Sequence, residues 1–377
     1  MRGDRVLSYA ILLQPFLAIL QLLLPMFGIS TIEEAADLRV YAVMITMIPA
    51  IIVSCKCNTL SVVLPFILYL IIVVIHYSIF PLSHAFLESR KAITLTPIVI
   101  LTGIFMYNLR SIEPFKKAFL WISRLSVPLA ALFVWGHLNS PFIMDESNYD
   151  MSFGYTLLFP TLFLFTQNNA FDKAASLLMW VLIIFGGSRG PAVVAAVFYV
   201  ISLLFYTRKG LKIWQVAIFL GLTIAGATVL PNVLDFSSSR TVMLFEEGEG
   251  ISHDSDRSLL YVKALANISE SPIIGNGIGS DWAIMGGYCH NFFLEISLHY
   301  GLLFAVIICL TMALSAFMTY RKSRYLKNSE DKQLFVLILI GGLMPLMVSS
   351  SYLLSANFGM VIGMLLRYRY SKRIIVS

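Results

Sequence analysis

The sequence predicts an all-α polytopic integral membrane protein. Of the 377 residues, 58% are hydrophobic and 13% are charged, and a soluble fold of this length cannot bury so much apolar surface. The apolar residues fall into runs of about 17 to 25, the length at which a helix crosses a bilayer. Residues 1–377 are therefore expected to form a single transmembrane domain.

About twelve runs are long enough to count as spans, and eleven is the alternative because the second, seventh and twelfth runs are short. In chain order they cover residues 6–27, 39–54, 59–80, 92–109, 118–137, 152–167, 174–187, 191–207, 212–230, 290–319, 333–350 and 355–367. One large connection, about residues 231–289, separates the ninth and tenth runs. It is the one extramembrane segment that is long enough to fold.

The basic residues indicate which side of the membrane each loop faces. Most Lys and Arg residues lie on the side that holds Arg2 and Arg5, whereas the opposite loops carry mainly Asp and Glu. Because short basic loops stay in the cytoplasm, both termini are expected to be cytoplasmic and the large connection to face outward. This placement accounts for the formal net charge of +6, so no nucleic-acid partner is expected.

A short amphipathic helix is predicted near the end of the large connection. Ser255 or Asp256 can cap its start, and Pro272 ends it after about Ser269. On its apolar face Arg257 is accompanied by Tyr261, Ala264 and Ile268. An arginine that faces the membrane domain requires an anionic partner.

The stretch after this helix combines a glycine-rich loop with a histidine at the start of a long apolar run. His290 and Asn291 begin the tenth predicted span, where an imidazole can still reach water at the membrane surface. A histidine that only hydrogen-bonds the helix start is the alternative. Glu295 can orient a histidine, bind a sugar hydroxyl or play a structural role. Glycine allows a positive φ and the close approach of a ligand, and the loop glycines are Gly275, Gly277, Gly279, Gly286 and Gly287.

A second glycine-rich segment, residues 186–191, lies at the predicted outer boundary between the seventh and eighth spans. Ser188 suits the N-cap of the eighth span, and Gly190 allows another chain or a ligand to approach. The free N–H groups of such a helix start, beside Arg189, are able to bind a phosphate. The alternative is a tight turn in which Arg189 only reaches lipid headgroups.

The sequence lacks the motifs typical of a metal-dependent transferase. His-x-Glu and His-Glu-x-x-His are both missing, so no metal and no other cofactor is expected. Asp281 and His299 are weaker candidates. Asp281 can orient a histidine, bind a sugar hydroxyl, face water or be structural, and His299 is expected to be structural or to support the catalytic group.

Taken together, these motifs resemble those of the O-antigen polymerase and ligase superfamily. Arg257 and its helix are followed by the segment PIIGNGIG (272–279), then by HNFFLE (290–295) and by YGL (300–302). The segment SRG (188–190) resembles the second motif of that family. The resemblance covers about residues 174–319, and it is carried by the order, spacing and outer location of the motifs.

The resemblance implies a glycosyltransferase at the outer face of the bacterial inner membrane. Its substrates would be oligosaccharides linked to undecaprenyl diphosphate and embedded in the lipid bilayer. Arg189 and Arg257 would bind the donor diphosphate, and His290 would accept the proton of the attacking hydroxyl. A flippase and a chain-length regulator are candidate partners, and no metal takes part. The supporting residues implied are Ser188, Gly190, Gly275, Gly277, Gly279, Asn291 and Glu295.

A polymerase of repeat units is favoured, because the chain is short and has no extra soluble domain. A ligase that transfers finished polymer to the lipid A core differs only in its acceptor. The ligase alternative stays open because neither Arg240 nor Arg257 is followed by glycine at the spacing found in many polymerase loops. A lipid-linked glycan flippase is the alternative from another class, and it predicts ionisable residues along the middle of several spans.

Overall fold

The computed structural model describes residues 2–139, 151–185, 189–206, 256–322, 326 and 328–370. Within these ranges the chain is helical and contains no β-strand. Five helices are long and apolar enough to cross a membrane, which confirms the predicted class of a helical membrane protein. The predicted ninth span, residues 212–230, and the part of the large connection up to residue 255 lie outside the described residues.

The described helices are numbered in chain order. They are α1 (Arg2–Met26), α2 (Ile32–Ile79), α3 (His84–Leu87), α4 (Arg90–Asn108), α5 (Glu113–Asn139), α6 (Met151–Phe165), α7 (Ala170–Phe185), α8 (Arg189–Tyr206), α9 (Asp256–Glu270), α10 (Ser280–Met285), α11 (Phe292–Tyr300), α12 (Leu302–Lys322), α13 (Ser329–Leu343) and α14 (Ala356–Tyr370). Short 3₁₀ turns precede α3, at Pro81–Ser83, and follow α13, at Met344–Met347.

The helices overlap the predicted spans, with two differences within the described residues. α2 consists of two helical segments joined at a kink, where Asn58 has φ −162° and ψ 96°, and this kink lies at the predicted boundary between the second and third spans. The eleventh predicted span, residues 333–350, is α-helical only as far as Leu343 and continues as the 3₁₀ turn Met344–Met347. Gly301, at φ +88°, divides the tenth span into α11 and α12, because glycine adopts this φ readily. The apolar stretches of α6 and α8 are shorter than a full span, so a count of twelve crossings stays a prediction.

α2 and α1 have different surroundings. Along α2 most apolar side chains face outward, and Ile45 and Leu60 are 66% and 67% exposed. Such a surface is stable against lipid tails, which are as apolar as the side chains themselves. α1 contacts both α2 and α5, and its buried residues, among them Leu7 and Ile11, join the main core.

α4 and α14 lie against each other backbone to backbone. A Cβ atom added to Gly363 would overlap with the carbonyl oxygen of Gly103, and one added to Gly359 would overlap with that of Val99. Small residues permit this approach in a membrane, where close packing drives helix association. The pair anchors the segment that precedes α14, residues 348–355, which contributes to the candidate site.

Candidate functional site

The predicted amphipathic helix is present as α9, and it packs onto the turn that holds His290. α9 covers Asp256–Glu270, close to the predicted bounds. Ala264 and Ile268, on the predicted apolar face, are buried against Cys289, which directly precedes His290. The inward face of this helix is therefore confirmed at these positions.

His290 has an unusual backbone conformation immediately before α11. Its φ is +56°, and it is the only non-glycine residue with a positive φ in the described part of the chain; few non-glycine residues adopt this left-handed region. The side chain is half-buried, and its ring centroid lies 4.4 Å from that of Tyr288. His290 is thus held in the turn ahead of the helix rather than within it.

Asn291 is the residue that starts α11. Its side-chain Oδ1 accepts hydrogen bonds from the backbone N–H groups of Phe293 and Leu294 at 3.1 and 3.2 Å. An asparagine in extended conformation that accepts from these positions is an N-cap. The local sequence therefore fixes where the helix begins, and with it the position of His290.

The second predicted motif lies at the start of α8, where Arg189 is the first helical residue. Gly190 packs tightly in this place. A Cβ atom at Gly190 would overlap with the hydroxyl of Tyr155 and would lie 3.4 Å from a side-chain carbon of Val348. The glycine thus lets α8 approach α6 and the segment before α14.

That segment also reaches the turn of His290. Ser349, the neighbour of Val348 in sequence, accepts a 3.2 Å hydrogen bond through its carbonyl from the hydroxyl of Tyr288. Because the ring of Tyr288 lies against that of His290, the start of α8 and the His290 turn meet at residues 348–349. Two motifs that are about a hundred residues apart in sequence are thus connected in the fold through this segment.

Part of the predicted site lies beyond what the structure describes. Ser188 is outside the described residues, and the side chains of Arg189 and Arg257 are not described. Their backbones place both arginines at helix starts, as the first residue of α8 and the second residue of α9. Helix starts expose free N–H groups and carry partial positive charge.

The loop glycines allow close packing between protein segments. Gly275 and Gly279 have φ values of +75° and +70°. A Cβ atom on Gly275 would lie 2.6 Å from the backbone nitrogen of Gly301, and one on Gly279 would overlap with Phe86. Gly277, also at positive φ, packs in the same way against Phe80. The neighbours that these glycines approach are therefore other parts of the chain.

A buried polar cluster lies beneath the loop. Asp281, Glu295 and His299 are each 0% exposed. Oδ1 of Asp281 lies 3.1 Å from Nε2 of His299, whose Nδ1 lies 2.8 Å from the hydroxyl of Tyr352. Glu295 accepts a hydrogen bond from the hydroxyl of Ser351. The cluster therefore joins α10, α11 and the segment 348–355.

Glu295 is fully enclosed by the protein, and its Oε1 is held by the hydroxyl of Ser351. Of the roles expected for Glu295, its burial favours the structural one.

Sequence reasoning gave Asp281 and His299 only minor roles and did not place Tyr352 near them. Glu295 and His299 are four residues apart in α11, so they share one face of the helix; this spacing was the available signal. Asp281 joins them only because α10 folds onto α11. The three side chains offer donor atoms that all lie within 4.8 Å of one another, an arrangement that can hold a metal ion.

A cavity of about 880 Å³ lies at the other end of α8 and is lined in part by Lys173, Ser202 and Glu330. α8 has 18 residues and is therefore about 27 Å long at the helical rise of ~1.5 Å per residue. The cavity is thus remote from Arg189 and from the His290 turn.

Neither a known protein-family model nor a curated protein sequence matches this chain. A functional conclusion therefore depends on the motifs and on the geometry around His290.

Proposed function

We propose that this chain is a glycosyltransferase that polymerises glycan repeat units linked to undecaprenyl diphosphate. It transfers the growing glycan onto the next lipid-linked unit at the outer face of the bacterial inner membrane, and both of its termini are cytoplasmic. The product is an O-antigen, a capsule or an exopolysaccharide. The motifs that resemble the O-antigen polymerase and ligase superfamily motivate this proposal.

The observation that carries the proposal is the position of His290. Its half-buried ring stands in a turn fixed by the cap at Asn291 and by contact with Tyr288. α9 packs on one side of this turn through Ala264 and Ile268. The start of α8 reaches it through residues 348–349. A positioned imidazole beside two helix starts suits the transfer of a proton next to a bound anion.

In the proposed reaction, the oxygen of the acceptor hydroxyl attacks the anomeric carbon of the donor sugar. The bond between that carbon and the phosphate oxygen breaks, and its electron pair leaves with the undecaprenyl diphosphate. The proton of the hydroxyl passes to the imidazole of His290. Because displacement is direct, the anomeric centre is inverted.

Arg189 and Arg257 have the role of binding the diphosphate in this proposal. A lipid diphosphate is already an activated leaving group, so the protein has to stabilise the negative charge that develops on it. Fixed guanidinium groups and free helix N–H groups supply this stabilisation without a metal. The two arginines stand at the first turns of α8 and α9, where both kinds of donor are available.

The proposal is tested with the surface glycan of the host bacterium. A strain without this protein and the same strain complemented with the wild-type chain are compared on a denaturing gel. A polymerase predicts single repeat units on the acceptor in the deletion strain and a ladder after complementation. Polymer stranded on undecaprenyl diphosphate would indicate a ligase, and repeat units confined to the cytoplasmic leaflet would indicate a flippase.

A further inference from the structure

The cluster of Asp281, Glu295 and His299 lacks positive charge. Within the described residues neither carboxylate pairs with a lysine or an arginine, and the basic group beside them is His299, whose Nε2 lies 3.1 Å from Oδ1 of Asp281. Two carboxylates therefore face at most one imidazolium, in a place where all three side chains are fully buried. Uncompensated charge is costly in such surroundings, so the cluster requires a further positive partner, either a cation or a proton held by a carboxylate.

The hydrogen bonds of the carboxylates lead to the same conclusion. Oδ2 of Asp281 and Oε2 of Glu295 are buried, and neither has a hydrogen-bond partner among the described residues. An ionised carboxylate can only accept, and neither of these two oxygens meets a donor among the described residues. Meanwhile the other oxygen of Glu295 is already held by the hydroxyl of Ser351.

The hydrogen bonds of His299 determine which ring nitrogen carries its proton. The hydroxyl of Tyr352 donates to that of Tyr300 at 3.2 Å, so its oxygen is left to accept from Nδ1–H of His299 at 2.8 Å. Nε2 is then unprotonated, and it accepts from the backbone N–H of Gly279 at a long 3.2 Å. The lone pair of Nε2 thus faces Oδ1 of Asp281, 3.1 Å away.

This arrangement is typical of a histidine that binds a metal through Nε2, because such a histidine usually donates its other N–H to a fixed acceptor. The donor atoms are also close enough. Three atoms within 4.8 Å of one another have a common point within about 2.8 Å of each, and shifts of less than about 1 Å reach the ~2.1 Å typical of zinc.

We propose that Asp281, Glu295 and His299 bind one divalent cation. A nitrogen donor with two carboxylate oxygens suits zinc or manganese better than magnesium or calcium, which prefer oxygen alone. The cation takes the place of the Gly279 N–H as the main partner of Nε2. It joins α10 to α11 and so supports the turn of His290 from beneath. It has no part in the glycan transfer, and the site does not depend on that function.

The test uses the full-length chain in detergent, freed of any affinity tag and treated with EDTA. Zinc chloride, manganese chloride and magnesium chloride are added separately, and both bound metal per chain and thermal unfolding are measured. We expect about one zinc or manganese ion per chain, and a Tm that rises with the concentration of that metal. We expect no comparable effect of magnesium.

The matched variants are Asp281→Asn and Glu295→Gln, which keep the shape of each side chain, and Glu270→Gln, which changes an exposed carboxylate of α9. The first two should weaken binding by at least about tenfold, whereas Glu270→Gln should bind as the wild type does.

Equal binding by all variants would overturn the assignment. A wild-type chain that binds neither zinc nor manganese would also overturn it, whether or not the variants fold. If the wild-type chain binds neither metal and Glu295→Gln is more stable than the wild type, the charge that neutralises the cluster is a proton shared by the two carboxylates.

Discussion

The backbone N–H of Gly279 donates a 3.2 Å hydrogen bond to Nε2 of His299, and the loop is thereby fastened to the last turn of α11. Two backbone hydrogen bonds support this contact, from the N–H of Asn276 to the carbonyl of Leu298 at 2.7 Å and from that of Gly277 to the carbonyl of His299 at 3.1 Å. The glycine-rich loop is therefore packed against the C-terminal end of α11, the helix that follows His290.

We predict that Gly275→Ala destabilises the protein. The residue has φ +75° and its new Cβ would lie 2.6 Å from a backbone nitrogen, which cannot move aside as a side chain can. A strained φ costs about 1–3 kcal/mol, and the contact adds to this cost. Denaturant unfolding in detergent micelles measures the loss.

The matched control for this substitution is Gly287→Ala. Gly287 lies after α10, in the turn that leads to His290, and it has no positive φ and its Cβ would have no neighbour within 4 Å. The free energy of unfolding should change by less than about 0.5 kcal/mol. A similar loss in both variants would contradict the packing role given to Gly275.

The thiol of Cys289 should resist modification in the folded protein. Cys289 is fully buried, and burial, followed by the carboxylates of Asp281 and Glu295, raises its pKa. The reactive thiolate is therefore scarce at pH 8. A variant that keeps only Cys289 should react with a maleimide only after denaturation, whereas one that keeps only Cys57, which is partly exposed, should react without it. Equal labelling rates would contradict the buried position.

Asp172 and Arg124 should show energetic coupling. The guanidinium of Arg124 donates two 2.8 Å hydrogen bonds to the carboxylate of Asp172, and the Asp172 side chain is only 2% exposed. Arg124→Met should cost about 1–3 kcal/mol because it leaves the buried carboxylate of Asp172 without its donors. The double variant Arg124→Met with Asp172→Ala should cost less than the two single costs added together. Additive costs would show that the pair contributes nothing.

The close contact between α4 and α14 should be lost when a larger side chain replaces one of its glycines. Gly363→Val places two methyl groups where the carbonyl of Gly103 lies, so the helices would have to separate. We expect detergent extraction to yield much less folded protein, measured as the monodisperse peak in size-exclusion chromatography. Leu366→Ala, on an exposed face of α14, is the control and should leave the yield unchanged. Equal yields from both variants would mean that the two helices do not pack this closely.

Local signals in the sequence placed the starts of two helices within about two residues. α9 begins at Asp256, one of the two predicted starts, whereas α11 begins at Phe292 because Asn291 caps it, two residues after the predicted start at His290. Hydrophobic runs likewise identified the membrane class. The predicted boundary between the second and third spans, residues 55–58, coincides with the kink of α2 at Asn58, whereas the end of the α-helix at Leu343, inside the eleventh predicted span, was not predicted.

Contacts between distant segments were beyond the sequence pattern. The break at Gly301 depends on a 2.7 Å hydrogen bond from the N–H of Leu302 to the carbonyl of Pro272, 30 residues earlier in the chain. The buried cluster depends in the same way on the fold, because Asp281 and Tyr352 meet His299 from separate elements. The spacing of residues along the chain does not predict such contacts between distant segments.

The most direct test of the account is the glycan ladder made by a strain that expresses His290→Ala in place of the wild-type chain. His84→Ala, which changes a histidine in α3, is the control, and immunoblots confirm equal amounts of each protein in the membrane. We predict that His290→Ala leaves single repeat units, because no group accepts the proton of the attacking hydroxyl, and that His84→Ala gives the wild-type ladder. A ladder of wild-type length from His290→Ala would contradict the assignment of His290 as the proton acceptor of a glycan polymerase.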